Sequence, residues 1–234
     1  MTLRRTLRLT LVSALLSALA IPALAQQERL NARQVAALVQ SFYDQSTSFQ
    51  AEFRQQQYTK VYDRTEQANG RVVFEKPGKM RWDYAEPNGQ VFVSDGEKLT
   101  VYQPPEEGER HGQVIERPMN EHQLPQAFSF LTGTGRLDRD FRFRLLDARR
   151  EGFRGGYVLE LRPREPTPQY DRVLFFVRIM ERNGQRAGVI QRVLIIDSAG
   201  NRNRFDFSSM RFPGDVPDSR FRFRPPAGTR RVQP

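Results

Sequence analysis

Cysteine is absent from the 234-residue chain, and three other reactive or bulky residue types are scarce: two histidines, one tryptophan and four lysines among the 37 basic residues. Without thiols there is no disulfide, no thiolate metal site, no thiol nucleophile and no cysteine to carry a lipid anchor. The two histidines, His111 and His122, lie in polar or loop segments and belong to no metal-ligand spacing. Phosphate-cradling glycine loops and nucleophile elbows are missing as well. Ser94-Asp95-Gly96 reads as a turn, and Glu106-Glu107 sits in a loop rich in Pro, Glu and Gly, where carboxylates are solvated. The expectation is a binding protein without catalysis, metal or cofactor.

Long apolar runs are also lacking, except at the start. MTLRRTLR is basic, LTLVSALLSALA is apolar and Ala23-Leu24-Ala25 has the small-x-small form of a cleavage site. This pattern predicts a secretory signal peptide over residues 1–25 and one mature domain over 26–234. No later stretch approaches the roughly 18 apolar residues of a membrane span.

What the chain has in plenty is arginine. The net charge is +10, of which Arg4, Arg5 and Arg8 leave with the signal. A basic balance raises nucleic acid as a partner. The arginines, however, alternate with apolar residues, as in Phe141-Arg142-Phe143-Arg144 and Phe221-Arg222-Phe223-Arg224, which is how the wet face of a strand looks. An exported chain with this pattern is better matched to anionic lipid head groups or an acidic partner than to nucleic acid.

One helix opens the mature region. From Leu30 to about Gln45, Val35, Leu38, Val39, Phe42 and Tyr43 share a face, and Asn31 with Gln34 makes a capping-box pattern. About eleven short strands follow, the last over 220–224, punctuated by Pro77-Gly78, Asp95-Gly96, Gly155-Gly156, Asn183-Gly184 and Gly200-Asn201. Hairpins at this spacing predict an antiparallel sheet curled into a barrel or half-barrel. A second helical segment interrupts them. In 122–133, Leu124, Phe128 and Leu131 share a face between Pro125 and Gly133.

The hairpin around Pro77-Gly78 carries the only tryptophan. A three-residue loop over Pro77 to Lys79 would pair Phe74 with Trp82, Val72 with Tyr84 and Lys76 with Met80, and set Glu75 across from Arg81. One face would then hold Val72, Phe74, Met80, Trp82 and Tyr84, with Lys76 at its end. Lys76 either snorkels at the rim or points into a concavity and bonds a movable group, such as the carbonyls ending the 125–131 helix.

The run from Gly70 to Pro87, GRVVFEKPGKMRWDYAEP, resembles the signature hairpin of the periplasmic outer-membrane lipoprotein carrier family, LolA. Ser48 to Gln55, Val91 to Leu99, Leu124 to Gly133, Asp197 to Asn201 and Phe221 to Gly228 are similar to further family segments, in order. The resemblance implies an unclosed antiparallel barrel whose hydrophobic cavity, roofed by a helical lid, receives lipoprotein acyl chains. On that footing Val72, Phe74, Lys76, Met80, Trp82, Tyr84, Val91 and Val93 are the candidate ligand-binding residues, and Leu124, Phe128 and Leu131 the candidate lid. Lys76 stands where well-known members have an arginine that holds the lid shut; the charge is kept and the planar fork lost.

The implied role is a monomeric periplasmic chaperone. It would take acylated lipoproteins from an inner-membrane releasing ABC transporter and deliver them to the outer membrane, through a receptor there if one is present. The alternative is a periplasmic lipid-sensing regulatory module on the same half-barrel, a group that typically carries an additional C-terminal domain.

Overall fold

The computed structural model describes residues 29–118, 135–182 and 184–233. The expected signal peptide and the candidate lid residues Leu124, Phe128 and Leu131 lie outside them. Helix α1 (Ala32–Gln45) forms as its pattern predicts. Asn31 Oδ1 accepts from the Gln34 backbone N–H at 3.0 Å and Gln34 Oε1 accepts from Asn31 N–H at 2.8 Å, closing the capping box. Its buried stripe is Val35, Ala36, Val39, Phe42 and Tyr43.

The strands are β1 (Ser48–Thr59), β2 (Arg64–Glu75), β3 (Lys79–Tyr84), β4 (Val91–Asp95), β5 (Lys98–Gln103) and β6 (Gln113–Pro118). After the short helix α2 (Leu137–Asp140) come β7 (Phe141–Leu146), β8 (Tyr157–Pro163), β9 (Arg172–Arg182), β10 (Gln185–Ile196), β11 (Arg202–Arg211) and β12 (Arg230–Val232). They form one unclosed sheet in the order β12-β6-β5-β4-β3-β2-β1-β11-β10-β9-β8-β7. Every pairing is antiparallel except β12 with β6, which is parallel.

The strand count is therefore twelve among the described residues, and one expected strand is replaced. Residues 220–224 do not join the sheet; a 3-10 turn spans Asp218–Phe221. Phe221 is buried against Val73 and Val216. Arg81 Nη1 donates to the carbonyls of Arg220 and Arg222 at 3.2 and 3.1 Å, so a side chain takes the acceptors a neighbouring strand would use. The twelfth strand, β12, was not apparent in the arginine-rich C-terminal sequence.

Ring geometry shows how strongly the sheet curls. Trp82 on β3 and Phe205 on β11 are three strand spacings apart in the sheet order, about 14 Å in a flat sheet, yet their centroids lie 5.5 Å apart. Side chains on the concave side converge. There they form one cluster with the stripe of α1, drawing on β1, β2, β3, β5, β7, β8, β9, β10 and β11. Helix α1 lies on β10, with contacts to β7 and β8. The contact is close because β10 carries Gly188, where a Cβ would stand 2.8 Å from Val39 N.

The convex side is assembled differently. Arg204 and Arg192 converge on Asp206 at 2.7 and 2.5 Å, and Arg192 also covers the Phe176 ring at 4.8 Å. A cleft of about 840 Å³ opens among Glu52, Arg54, Arg71, Asp83, Arg204 and Asp206. Its charges are mixed, and Phe53, Tyr84 and Phe207 also reach its lining.

Candidate functional site

The β2–β3 hairpin closes with Glu75 opposite Lys79, leaving Lys76, Pro77 and Gly78 as the loop. The pairs are Phe74 with Met80, Val72 with Trp82 and Gly70 with Tyr84. This corrects the expected register by two residues. Gly78 supplies the left-handed position, at φ 69°, as the last loop residue. Lys79 Nζ then reaches Glu75 at 3.0 Å across the closing pair, so Glu75 meets Lys79 and not Arg81. A slip of two preserves side-chain direction, and Val72, Phe74, Met80, Trp82 and Tyr84 do share the concave face.

Two rows of paired residues cross this half of the sheet. One runs Val72, Trp82, Phe92, Val101, Ile115 from β2 to β6. Val72 and Trp82 are buried, whereas Phe92, Val101 and Ile115 are half-buried, so this row is less covered on β4, β5 and β6 than on β2 and β3. The second runs Phe74, Met80, Ser94, Leu99, Arg117. Phe53, which packs at 4.9 Å from Trp82 and 5.0 Å from Tyr84, ties the aromatic centre to β1. Burial pushes the Tyr84 phenol up to about 12, so it stays neutral.

Val91 and Val93 do not belong to this face. Val93 pairs with Arg81 and Val91 with Asp83, residues of the convex side, and Phe92 between them faces inward. The alternation misleads here because both sides of β4 are covered. The C-terminal segment with Phe221 packs on the convex side of β3 and β4, so Val93 is buried there. Phe92, Val101 and Ile115 are the concave residues that pattern reading missed; pairing each with Trp82 through the sheet register identifies them.

Lys76 is not free at the rim; among the described residues it is held by the end of α1, while the 125–131 segment lies outside them. Its ammonium donates to the Tyr43 carbonyl and, at 3.4 Å, to that of Asp44. These are carbonyls of the last turn of α1, where a cation also complements the helix dipole. Its backbone N–H donates to Thr47 O at 2.9 Å, which turns the residue toward the α1–β1 junction. Burial lowers the Lys76 pKa, and the nearby Asp44 carboxylate opposes that in part. The tip of the tryptophan hairpin is thus fastened to the end of the helix that covers the far half of the concave face.

Comparison with known proteins follows this geometry. The family described as outer membrane lipoprotein carrier protein LolA matches residues 44–224. The outer-membrane lipoprotein carrier protein of Chromohalobacter salexigens is 30% identical over 216 residues, 90% of either chain. That of Alkalilimnicola ehrlichii is 29% identical over 219 residues, covering 93% of this chain and 90% of its own. A LolA superfamily protein from Nitrosomonas europaea, known by crystal structure, aligns with 83% of this chain and 99% of its own at 18% identity and a TM-score of 0.46. With more than half its length matched by the family's pattern, and a concave apolar face built on the matched strands, the chain belongs to the outer membrane lipoprotein carrier (LolA) family.

Proposed function

We propose that this protein is exported, works in the periplasm, and carries acylated lipoproteins from the inner membrane toward the outer membrane by sheltering their acyl chains on the concave face. One observation carries the reading: the apolar row from Val72 through Trp82 and Phe92 to Ile115, buried on β2 and β3 and half-buried on β4, β5 and β6. Acyl chains cost water about 0.8 kcal/mol per exposed methylene, so two or three of them need such a surface to cross an aqueous space. The names of the related carriers point the same way.

Val72, Phe74, Met80, Trp82 and Tyr84 would contact the chains, joined by Phe92, Val101 and Ile115. Because the first four are nearly inaccessible, entry requires the cover over them to move. Lys76 acts here as a brake. It holds the end of α1 against the hairpin, so opening sacrifices polar contacts that acyl contacts then offset. The bound state is left at intermediate depth, as hand-over from a releasing transporter to an outer-membrane acceptor demands. The arginine-rich convex side would favour approach to anionic head groups. Purifying the mature protein from its native envelope and identifying co-purifying acylated proteins by mass spectrometry tests the reading; a preparation that carries none rejects it.

A further inference from the structure

Arg117 differs from the arginines that line the convex side. Several of those meet carboxylates: Arg192 and Arg204 on Asp206, Arg162 and Arg172 on Glu160, Arg81 on Asp83. Arg117 pairs with Leu99, a buried member of the concave cluster, and directly opposed residues of an antiparallel pair project to the same side. It therefore ends the row Phe74, Met80, Ser94, Leu99, Arg117 on β6, beside the half-buried Ile115 end of the neighbouring row. The carboxylate nearest in sequence, Glu116, points the other way and is held by Lys98 at 3.2 Å and Arg231 at 2.6 Å. Among the described residues, Arg117 Nε is the buried side-chain nitrogen left without a hydrogen-bond partner.

A buried, unsatisfied N–H on a half-buried guanidinium is costly, since Nε has left water and gained no acceptor in return. Such a group is tolerated where a ligand supplies the acceptors. We infer that Arg117 is a ligand-binding residue that receives the carbonyl oxygens at the junction where acyl chains join their polar backbone. The inference rests on the acyl-carrier reading and deepens it. The row carries Phe74, Met80 and Leu99 as hydrocarbon, with Ser94 among them, and one planar donor group stands at its β6 end. That order of apolar then donor matches an amphiphile lying tail-first along the row with its ester or amide carbonyls at β6. A guanidinium fork suits two neighbouring carbonyls, as a diacyl group presents them. A bare hydrocarbon would leave Nε as unsatisfied as before.

The test uses two ligands with the same tails: dioctanoylglycerol, whose chains are joined through ester carbonyls, and dioctylglycerol ether, which lacks those carbonyls. Trp82, the only tryptophan and a member of the neighbouring row, reports binding by its fluorescence. The mature protein is expected to bind the diester about tenfold more tightly than the diether, the scale of one charge-assisted hydrogen bond. Arg117→Met should bind both with the diether's affinity, and Arg117→Lys should recover only part of the preference. Equal affinity of the unaltered protein for the two ligands overturns the inference, as does an equal loss for both in Arg117→Met, which marks a structural role. Dodecanoate is a third arm: if Arg117→Met weakens dodecanoate alone, the group is a counter-charge for anions and the carbonyl assignment is wrong. If the unaltered protein binds neither diester nor diether, the carrier reading itself fails and takes this inference with it.

Discussion

The two faces of the sheet solve the same packing problem with opposite chemistry. On the concave side, Phe49, Phe53, Phe74, Trp82, Phe205 and Phe207 meet mostly edge to face, with Phe49 stacked on Phe74, and cohesion is apolar contact summed over many rings. On the convex side, arginines lie along the strands and are paid for by carboxylates, with only local apolar clusters around Phe176 and Phe221. A face of aromatic contacts can exchange one apolar neighbour for another at small cost. Ion pairs with fixed geometry cannot. The difference assigns adaptability to the inside and rigidity to the outside, and it can be tested in steps.

The largest effect should come from opposite truncations. Phe74 is fully buried at the centre of the concave cluster, so Phe74→Ala should lower stability by about 3–5 kcal/mol through lost transfer energy and a cavity. Arg204, a third exposed in its pair with Asp206, should cost less than about 1 kcal/mol as Arg204→Ala. Urea denaturation followed by Trp82 fluorescence measures both. Similar losses for the two would erase the contrast.

Glu160 is where the convex side departs from its own pattern. Its side chain is only 4% exposed and holds Arg162 at 3.3 Å and Arg172 at 3.8 Å, together with a close contact to Arg144. Removing a buried charged acceptor shared by several donors should cost about 1.5–3 kcal/mol in Glu160→Ala. A loss no larger than that of Arg204→Ala would show the cluster to be as weak as the exposed pairs.

How far this contrast was legible in the sequence depends on the strand. Faces were readable wherever one side is polar: Val72, Phe74, Met80, Trp82 and Tyr84 alternate with Arg71, Glu75, Arg81 and Asp83, and a two-residue register error left them together. On β4 the rule gave out, because Val91, Phe92 and Val93 are all apolar and the distant C-terminal segment covers one side. No local pattern announces such a cover. The same cause hid the fate of 220–224, whose alternation serves one buried ring, Phe221, in a turn. Arg117 was illegible for another reason: in a chain so rich in arginine, one more at the end of a strand reads as wet surface until the register sets it beside Leu99. Lys76 stood out by its place at the end of the apolar face, but the carbonyls it bonds are 32 and 33 residues away in the chain, beyond the reach of any hairpin argument.

A smaller effect concerns how the concave side is covered. Gly188→Ala places a methyl 2.8 Å from the Val39 backbone nitrogen, and backbone cannot rotate away as a side chain could. Helix α1 should lift from β10 at a cost of about 1–3 kcal/mol, the range for overpacking a tight contact. Hydrogen exchange should then quicken in α1 before β8 or β9. Uniform quickening would mean that α1 is no separable cover, and that the adaptability of the inside lies elsewhere.

The smallest effect is electrostatic and belongs to the outside. Lys79 bridges Asp218 at 2.6 Å and Glu75 at 3.0 Å, while Glu75 also accepts the Val216 N–H at 2.8 Å, which binds the C-terminal segment to the convex side. The hydrogen bond to Asp218 is the first cause raising the Lys79 pKa from 10.5 to about 12, and the same bond lowers that of Asp218 below 3.8. A raised lysine adds stability that is present below its ordinary value and lost as pH rises through about 12. A lowered carboxylate adds stability that is present above its ordinary value and lost as pH falls below it. The clip should therefore hold across neutral pH and weaken toward both extremes. Because Asp218 is 70% exposed, high salt should weaken it as well. Lys79→Gln should speed hydrogen exchange at Val216 at pH 7 in low salt, and the difference from the unaltered protein should vanish in about 1 M salt, where the Debye length shrinks to roughly 3 Å. If Lys79→Gln makes no difference even in low salt, the segment is held by Phe221 against Val73, and even the outer face owes its rigidity there to apolar contact.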